Sequence, residues 1–285
     1  MNPEESREIP LPEAKRSGGA PQGEVVIECS GVKKSYGDRE ILHGVDLQVH
    51  KGETLVIMGG SGHGKSTLLR LMIGAERADA GEVKLFGQDM GVRDEQLLYP
   101  IKKRFGVLFQ GSALYGSMTV GENIALPLRE HTDLDDKIID IIVGLKLQQV
   151  GLSHATNLMP SELSGGMKKR VGLARAIALD PEIIFYDEPG AGLDPVVLAQ
   201  IDQLIIGLGE KLGVASIVVT HEMHSAFRIA DRMVLLYGGD IIADGTPEEM
   251  RKNPAVDAFI QGRSDGGAIT APGGSGFVEG LLGGS

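Results

Sequence analysis

Tryptophan is absent from the 285-residue chain, cysteine occurs once, and aromatic residues make up only 4% of it. A single cysteine, Cys29, excludes a disulfide framework and any cysteine-rich metal site, and it reads as a small hydrophobe. No apolar run approaches the ~20 residues that span a bilayer. The opening Met-Asn-Pro-Glu-Glu has none of the basic, apolar and small-residue regions of a secretory signal. The expectation is therefore a cytoplasmic chain whose membrane role, if any, comes through a partner. Positive charge is also scarce. Twenty-eight Lys and Arg face 39 Asp and Glu, a net charge of −11, which argues against a broad nucleic-acid or anionic-lipid surface. Hydrophobic residues at 42% and charged residues at 24% suit a globular chain of one large or two small domains with a sizeable core.

Glycine is plentiful, with 41 residues, and one cluster of it organises the chain. Gly59, Gly60, Ser61, Gly62, His63, Gly64, Lys65, Ser66 and Thr67 form a G-x-x-x-x-G-K-[ST] loop. The apolar run Thr54 to Met58 before it reads as a buried strand, and Leu68 to Ile73 after it as a helix. Glycines let backbone N–H groups turn inward around phosphate oxygens, and the helix start adds its free donors. Lys65 can reach terminal phosphates as a point charge, and the Ser66 hydroxyl suits a Mg²⁺ ion held with them. His63 stands at a variable position of the loop and is expected to be incidental to catalysis.

Residues 1–23 are polar and read as a disordered lead, and the Gly- and Ser-rich stretch 263–285 as a flexible tail. Between them, Val25 to Cys29, Val45 to Val49 and Gly81 to Gly87 read as strands of a partly antiparallel layer, with a turn region from Gly31 to Gly37. From residue 54 on, buried strands alternate with helices. The runs at Phe105 to Phe109, Ile183 to Tyr186 and Val214 to Val219 predict a mainly parallel sheet. The helical block at about 111–180 is too long for a loop and predicts an inserted helical subdomain. Within it, Leu134, Ile138, Ile141, Ile142 and Leu145 share one helical face, which reads as plain core. The expected class is α/β, with a phosphate-loop core, an antiparallel β layer and this insertion.

Ligands of a parallel sheet sit beyond the carboxyl ends of its strands. Asp187 and Glu188 close one such strand, so Asp187 is placed to hold Mg²⁺ and Glu188 to orient or deprotonate an attacking water. Gln110 ends another, where its amide can contact Mg²⁺ or that water. His221 follows a third and could stabilise charge on a breaking phosphate bond. His43, His50, His131, His154 and His224 lack such settings and read as surface or packing residues. Tyr36 could stack on an adenine ring. A second glycine cluster, Leu163-Ser164-Gly165-Gly166-Met167, exposes backbone donors at a helix start whose N-cap is Ser164. A chain that already has one phosphate loop needs a second such turn if it caps the nucleotide of a neighbouring copy in a two-fold dimer, with Asp194 on the same seam.

Together these residues resemble the nucleotide-binding subunit of ATP-binding-cassette (ABC) transporters over about residues 24–262. Tyr36 matches the aromatic loop, Gly59 to Ser66 the Walker A loop and Gln110 the Q-loop. Leu163 to Met167 match the signature, Ile183 to Glu188 Walker B, Gly192-Leu193-Asp194 the D-loop and His221 the switch histidine. Met167 departs from the family, where Gln is more usual, and so lacks two amide donors. The resemblance implies ATP and Mg²⁺ as ligands, ATP clamped between two copies, and hydrolysis that releases them. A narrower likeness, carried by Leu126 to Thr132 and Leu158 to Met167, is to the ATPases of the Mla and MCE-associated lipid transporters. It implies an integral-membrane permease, an MCE-type lipid-binding protein, a phospholipid cargo and a peripheral place on the cytoplasmic face of the inner membrane.

The rival expectation is an ABC ATPase for another cargo, such as amino acids. A DNA-repair or translation ABC protein would carry a coiled-coil insertion or tandem cassettes, which this acidic chain lacks. A small-molecule kinase would not need the Leu163 to Gly166 turn.

Overall fold

The computed structural model describes residues 23–262. The expected disordered lead, apart from Gly23, and the expected tail at 263–285 lie outside the described residues.

Alternating burial builds two long antiparallel strands, β1 (Val25–Tyr36) and β2 (Arg39–His50), with Leu42, Val45, Leu47 and Val49 turned inward. The first strand is longer than the sequence suggests. Gly31, at φ +58°, forms a bulge between Cys29 and Val32, and the strand resumes beyond it with Val32 buried. The expected turn region thus shrinks to Gly37 and Asp38. The apolar strand β3 (Thr54–Met58) is buried throughout and runs into the glycine loop and α1 (Lys65–Met72). With β4 (Ala80–Leu85) and β5 (Gln88–Asp89), the outer sheet has the order β2-β1-β4-β5. A short helix, α2 (Glu95–Lys102), capped by Asp94, was not expected.

The second sheet begins with β6 (Phe105–Leu108). Helices α3 (Val120–His131), α4 (Asp136–Gln149) and α5 (Gly165–Ala176) lie between it and β7 (Ile183–Asp187). Then follow α6 (Pro195–Leu212), β8 (Ala215–Thr220), α7 (Met223–Ile229), β9 (Arg232–Tyr237), β10 (Asp240–Gly245), α8 (Pro247–Lys252) and α9 (Pro254–Ile260). The sheet order is β10-β9-β3-β8-β7-β6, parallel except for β10 at its edge. The class is α/β, as the alternation predicts.

Each central strand feeds both faces. Ile184, Tyr186, Val56 and Val218 pack with residues of α3 to α7, whereas Phe185, Leu55, Ile57 and Val219 pack under α1 and the outer sheet. The parallel register sets Met58 beside Thr220, Asp187 beside Val219 and Leu108 beside Tyr186. The residues that follow these strands therefore emerge along one edge.

The helix α4 turns the other way from expectation. Ile139, Val143 and Leu147 are buried, while Leu134, Ile138, Ile141 and Leu145 are exposed, and of the expected face only Ile142 packs partly against the core. Two apolar arcs on this helix both satisfy helical spacing, and packing on α3 and α5 takes the one carrying Ile139.

Candidate active site

The glycine loop can close only without side chains. Gly59, Gly62 and Gly64 lie at φ +157°, +80° and +100°. A Cβ on Gly59 would come within 2.3 Å of the Leu236 carbonyl oxygen, and one on Gly64 within 2.7 Å of Leu42 Cδ2. Strands β9 and β2 thus press the loop from two sides. The helix α1 starts at Gly64 with no side-chain cap, so its first N–H donors are left to an anion.

Lys65 is 7% exposed and its ammonium donates to the carbonyls of Gly59 (2.8 Å) and Gly60 (3.0 Å). Its Nζ lies 3.8 Å from Glu188 Oε1. Burial holds its pKa below the usual lysine range, and the carboxylates of Glu188 and Asp187 oppose that shift. The Ser66 hydroxyl donates to Asp187 Oδ1 at 3.3 Å. Burial raises the Asp187 carboxyl above its ordinary value, the Ser66 bond works against this, and the Glu188 charge adds to it. A hydroxyl and a desolvated carboxylate within reach of each other are the hard-oxygen donor set that Mg²⁺ takes, so these residues fit that ion.

Glu188 has φ +47°, a strained value for a side-chain-bearing residue, held by its N–H donating to the Val219 carbonyl at 2.9 Å. Its carboxylate meets His221, whose Nδ1 is 2.9 Å from Oε2 and whose backbone N–H donates to the same oxygen at 3.4 Å.

One cleft of about 360 Å³ collects Ser61, Gly62, Gly64, Lys65, Ser66, Thr67, Gln110, Glu188 and His221. Arg39 and Ile41 of β2 also line it and were missed from the sequence, where nothing marks the start of a hairpin strand as facing a loop 20 residues on. Asp187 sits behind Ser66, and Gly59 and Gly60 behind Lys65. His63 turns away. Its Nδ1 accepts from the Gly238 N–H at 2.9 Å and its ring packs on Tyr237 at 4.4 Å. Burial, then the Lys65 charge, hold its pKa below the usual histidine value.

Tyr36 is exposed at the end of β1, outside the cleft, and its hydroxyl donates to Glu76. The second glycine turn also lies apart. Ser164 Oγ accepts from the Met167 N–H at 3.3 Å, and a Cβ on Gly166 would meet Val197 Cγ1 at 2.4 Å. This turn therefore abuts the start of α6, where Asp194 accepts from the N–H groups of Val196 and Val197, both at 3.0 Å. Ser164, Gly165 and Asp194 are exposed. Met167 packs partly against the core.

The ABC transporter family model matches residues 42–191. The intermembrane phospholipid transport system ATP-binding protein MlaF of Haemophilus influenzae is 44% identical over 243 residues, 85% of this chain and 92% of that protein. The probable ribonucleotide transport ATP-binding protein mkl of Mycobacterium leprae is 42% identical over 251 residues, 87% of this chain and 72% of that protein. Among solved structures, the dimeric ATP-binding cassette MJ0796 in a post-hydrolysis state with ADP and Pi superposes with a TM-score of 0.72 at 30% identity, covering 78% of this chain and 98% of that one. A phosphate loop, a strand-end acid pair and a histidine on one cleft, with a matching family model and relatives along most of the chain, show that this protein belongs to the ABC transporter family and is an ATPase of it.

Proposed function

We propose that this chain is the ATP-hydrolysing subunit of a phospholipid transporter, working as a pair of copies beneath an integral-membrane permease. The observation that carries the hydrolytic part is the convergence of Lys65, Ser66, Glu188 and His221 on one cleft at the carboxyl edge of the parallel sheet.

The loop Gly59 to Thr67 and the Lys65 ammonium hold the β- and γ-phosphates. Ser66, Asp187 and Gln110 would hold Mg²⁺, which supplies charge neutralisation at those phosphates when bound. Glu188 takes the proton of the attacking water. His221, its Nδ1 engaged with Glu188, offers Nε2 to charge building on the γ-phosphate. Tyr36 stacks on adenine. Ser164, Gly165 and Asp194, exposed on one seam, together with the buried Gly166 between them, complete the site of the other copy. A dimeric relative with 30% identity supports the two-copy arrangement.

The segment 111–180 acts as the helical subdomain that meets the permease. A second cleft of about 340 Å³ on its border is lined by Phe109, Tyr115, Leu126 and Pro127, and Phe109 and Tyr115 are exposed there. The phospholipid reading rests on the likeness to MlaF along 92% of that protein, and with it goes an MCE-type lipid-binding partner. The name of the mycobacterial relative favours a second reading, a ribonucleotide cargo. Among the described residues no helix is long and apolar enough to cross a membrane. The test is co-purification of the chain with its partners, followed by mass spectrometry of bound small molecules. Phospholipid together with a permease and an MCE-type protein supports the first reading, and bound ribonucleotide at the permease favours the second.

A further inference from the structure

A lysine breaks the apolar stripe of α5. Lys169 falls among the buried positions Gly166, Val171, Gly172 and Leu173, and only 4% of it is exposed. A lysine this deep is rare unless its ammonium is satisfied. Here Nζ donates to the backbone carbonyl of Glu188 at 3.1 Å and to that of Gln110. Neither is a carboxylate. The side chain spans from the signature helix to two loops, one carrying the proposed base and the other the proposed Mg²⁺ or water ligand.

Both loops are strained where they are gripped. Glu188 lies at φ +47°, and Ser112 and Ala113, just past Gln110, at +61° and +47°. The same helix takes hold of the second loop again six residues on, less than two turns away. Arg175 donates from Nη2 to the Ser112 carbonyl at 2.9 Å and from Nη1 to the Ala113 carbonyl at 2.8 Å. Between these anchors α5 lies tight on β6. A Cβ on Gly172 would meet Leu108 Cδ1 at 2.8 Å, and one on Gly106 the Ala176 carbonyl oxygen at 2.1 Å. The helix and the two loops therefore move together or break hydrogen bonds.

We propose that Lys169 is a positioning residue that fixes Gln110 and Glu188 of its own protomer to the helix whose first turn reaches the other copy's nucleotide. The proposal rests on the roles given above to Glu188 and to the Ser164 to Gly166 turn. Its consequence is directional. Whatever nucleotide does at the start of α5 in one site is carried, one turn along the helix, to the groups that hydrolyse ATP in the other. Burial holds the Lys169 pKa below the usual lysine range, and the charges of Asp187 and Glu188 oppose this shift.

The test uses the full-length chain with MgATP and four variants. Met and Gln are alike in length, each about one bond shorter than lysine, but only Gln can donate to two carbonyls, so Lys169→Met and Lys169→Gln separate hydrogen bonding from packing. Lys169→Ala is the second donor-less variant, should Met fail to fold, and Glu188→Gln monitors the reading beneath. Because the phosphate loop is untouched, the affinity for ATP is expected to stay within about twofold in all three Lys169 variants. The kcat of Lys169→Met and Lys169→Ala is expected to fall by roughly tenfold or more, the scale of a misplaced catalytic group, while Lys169→Gln recovers most of it. A dead Glu188→Gln with unimpaired Met and Ala variants overturns the role of Lys169 alone. Equal losses in Gln, Met and Ala overturn it as well, since packing would then be the cause. A normal rate in Glu188→Gln overturns the reading on which it rests.

Discussion

His221 Nδ1 stands 2.9 Å from Glu188 Oε2, though the two residues are 33 positions apart. Adjacent parallel strands bring them together. Asp187 pairs with Val219, so Glu188 and His221, each the first residue beyond its strand, meet at the sheet edge. The same carboxylate has Lys65 Nζ at 3.8 Å on its other side, so it sits between two cationic or ionisable groups. Glu188→Gln keeps the shape and removes the proposed base. Turnover of ATP is expected to drop by roughly 10²- to 10⁴-fold, the range for general base catalysis, while nucleotide binding persists and the two-copy state accumulates with ATP. His221→Ala should slow turnover by about 10²-fold, the loss of one stabilising donor. Steady-state hydrolysis and size-exclusion chromatography with ATP read both outcomes.

Lys65 tests the phosphate site separately from the chemistry. In this structure its ammonium is satisfied by the Gly59 and Gly60 carbonyls, bonds that leave its third N–H free for a phosphate oxygen. Lys65→Ala removes a charge-assisted contact of about 1.5–3 kcal/mol. Nucleotide affinity should therefore weaken by roughly ten- to a hundredfold, measured by titration with a fluorescent ATP analogue. Unchanged binding would contradict the phosphate-loop role.

What could be read from the sequence is what lies contiguous in it. Strand, glycine loop and helix follow one another over Thr54 to Met72, and the apolar run Ile183 to Tyr186 points at Asp187. What could not be read depends on contacts between distant segments. Helix α4 carries apolar residues on two arcs, and only packing against its neighbours decides that Ile139, and not Ile138, is buried. Helix α2 is only eight residues long and holds Pro100, a helix breaker, so residue type argues against it. The partner of His63 is a backbone N–H at Gly238, and those of Lys169 are two carbonyls at Gln110 and Glu188. None of these leaves a trace in residue type.

Asp202 gives a pH-dependent prediction away from the cleft. It is fully buried on α6 and accepts from Ser225 Oγ at 2.5 Å and Arg228 Nη1 at 2.8 Å, tying α7, which follows His221, to α6. Burial raises its carboxyl above the ordinary value, and Ser225 and Arg228 pull it back. Arg228→Ala removes one of those restraints, so the folded-state pKa climbs further above the unfolded one. A folded state that binds the proton more tightly loses stability as pH rises. The deficit of the variant should be about 1–2 kcal/mol at pH 7–8, discounted because Arg228 is half exposed. It should shrink as pH falls below the folded carboxyl value. Urea unfolding of both proteins at pH 5 and pH 7.5 checks it, and an equal deficit at the two values would remove the carboxyl as the cause.

Cys29 should be chemically silent in the folded chain. It is 2% exposed, and burial, followed by the Asp46 and Glu28 charges, pushes its thiol pKa up to about 12. The thiolate is the reactive form, and almost none is present at pH 8. A disulfide-exchange reagent should therefore label no thiol in the native protein and one per chain in denaturant. Rapid native labelling would mean that β1 opens.

The phosphate cradle should be lost by a single methyl group. Gly64 sits at φ +100°, where a side chain costs about 1–3 kcal/mol of backbone strain. The added Cβ would also lie 2.7 Å from Leu42 Cδ2 and 3.1 Å from the Ile41 carbonyl oxygen, so β2 must shift away from the loop. Ile41 lines the cleft, so the shift reaches the nucleotide site directly. Gly64→Ala is thus expected to remain folded, with a lower thermal midpoint, and to lose ATP binding at least as severely as Lys65→Ala. By contrast, Gly111→Ala has open space around the new methyl and no positive φ, and should bind ATP like the parent. Parallel nucleotide titrations of the three variants separate a cradle built by backbone shape from one built only by the lysine charge. If Gly64→Ala bound ATP normally while Lys65→Ala did not, the charge alone would hold the phosphates.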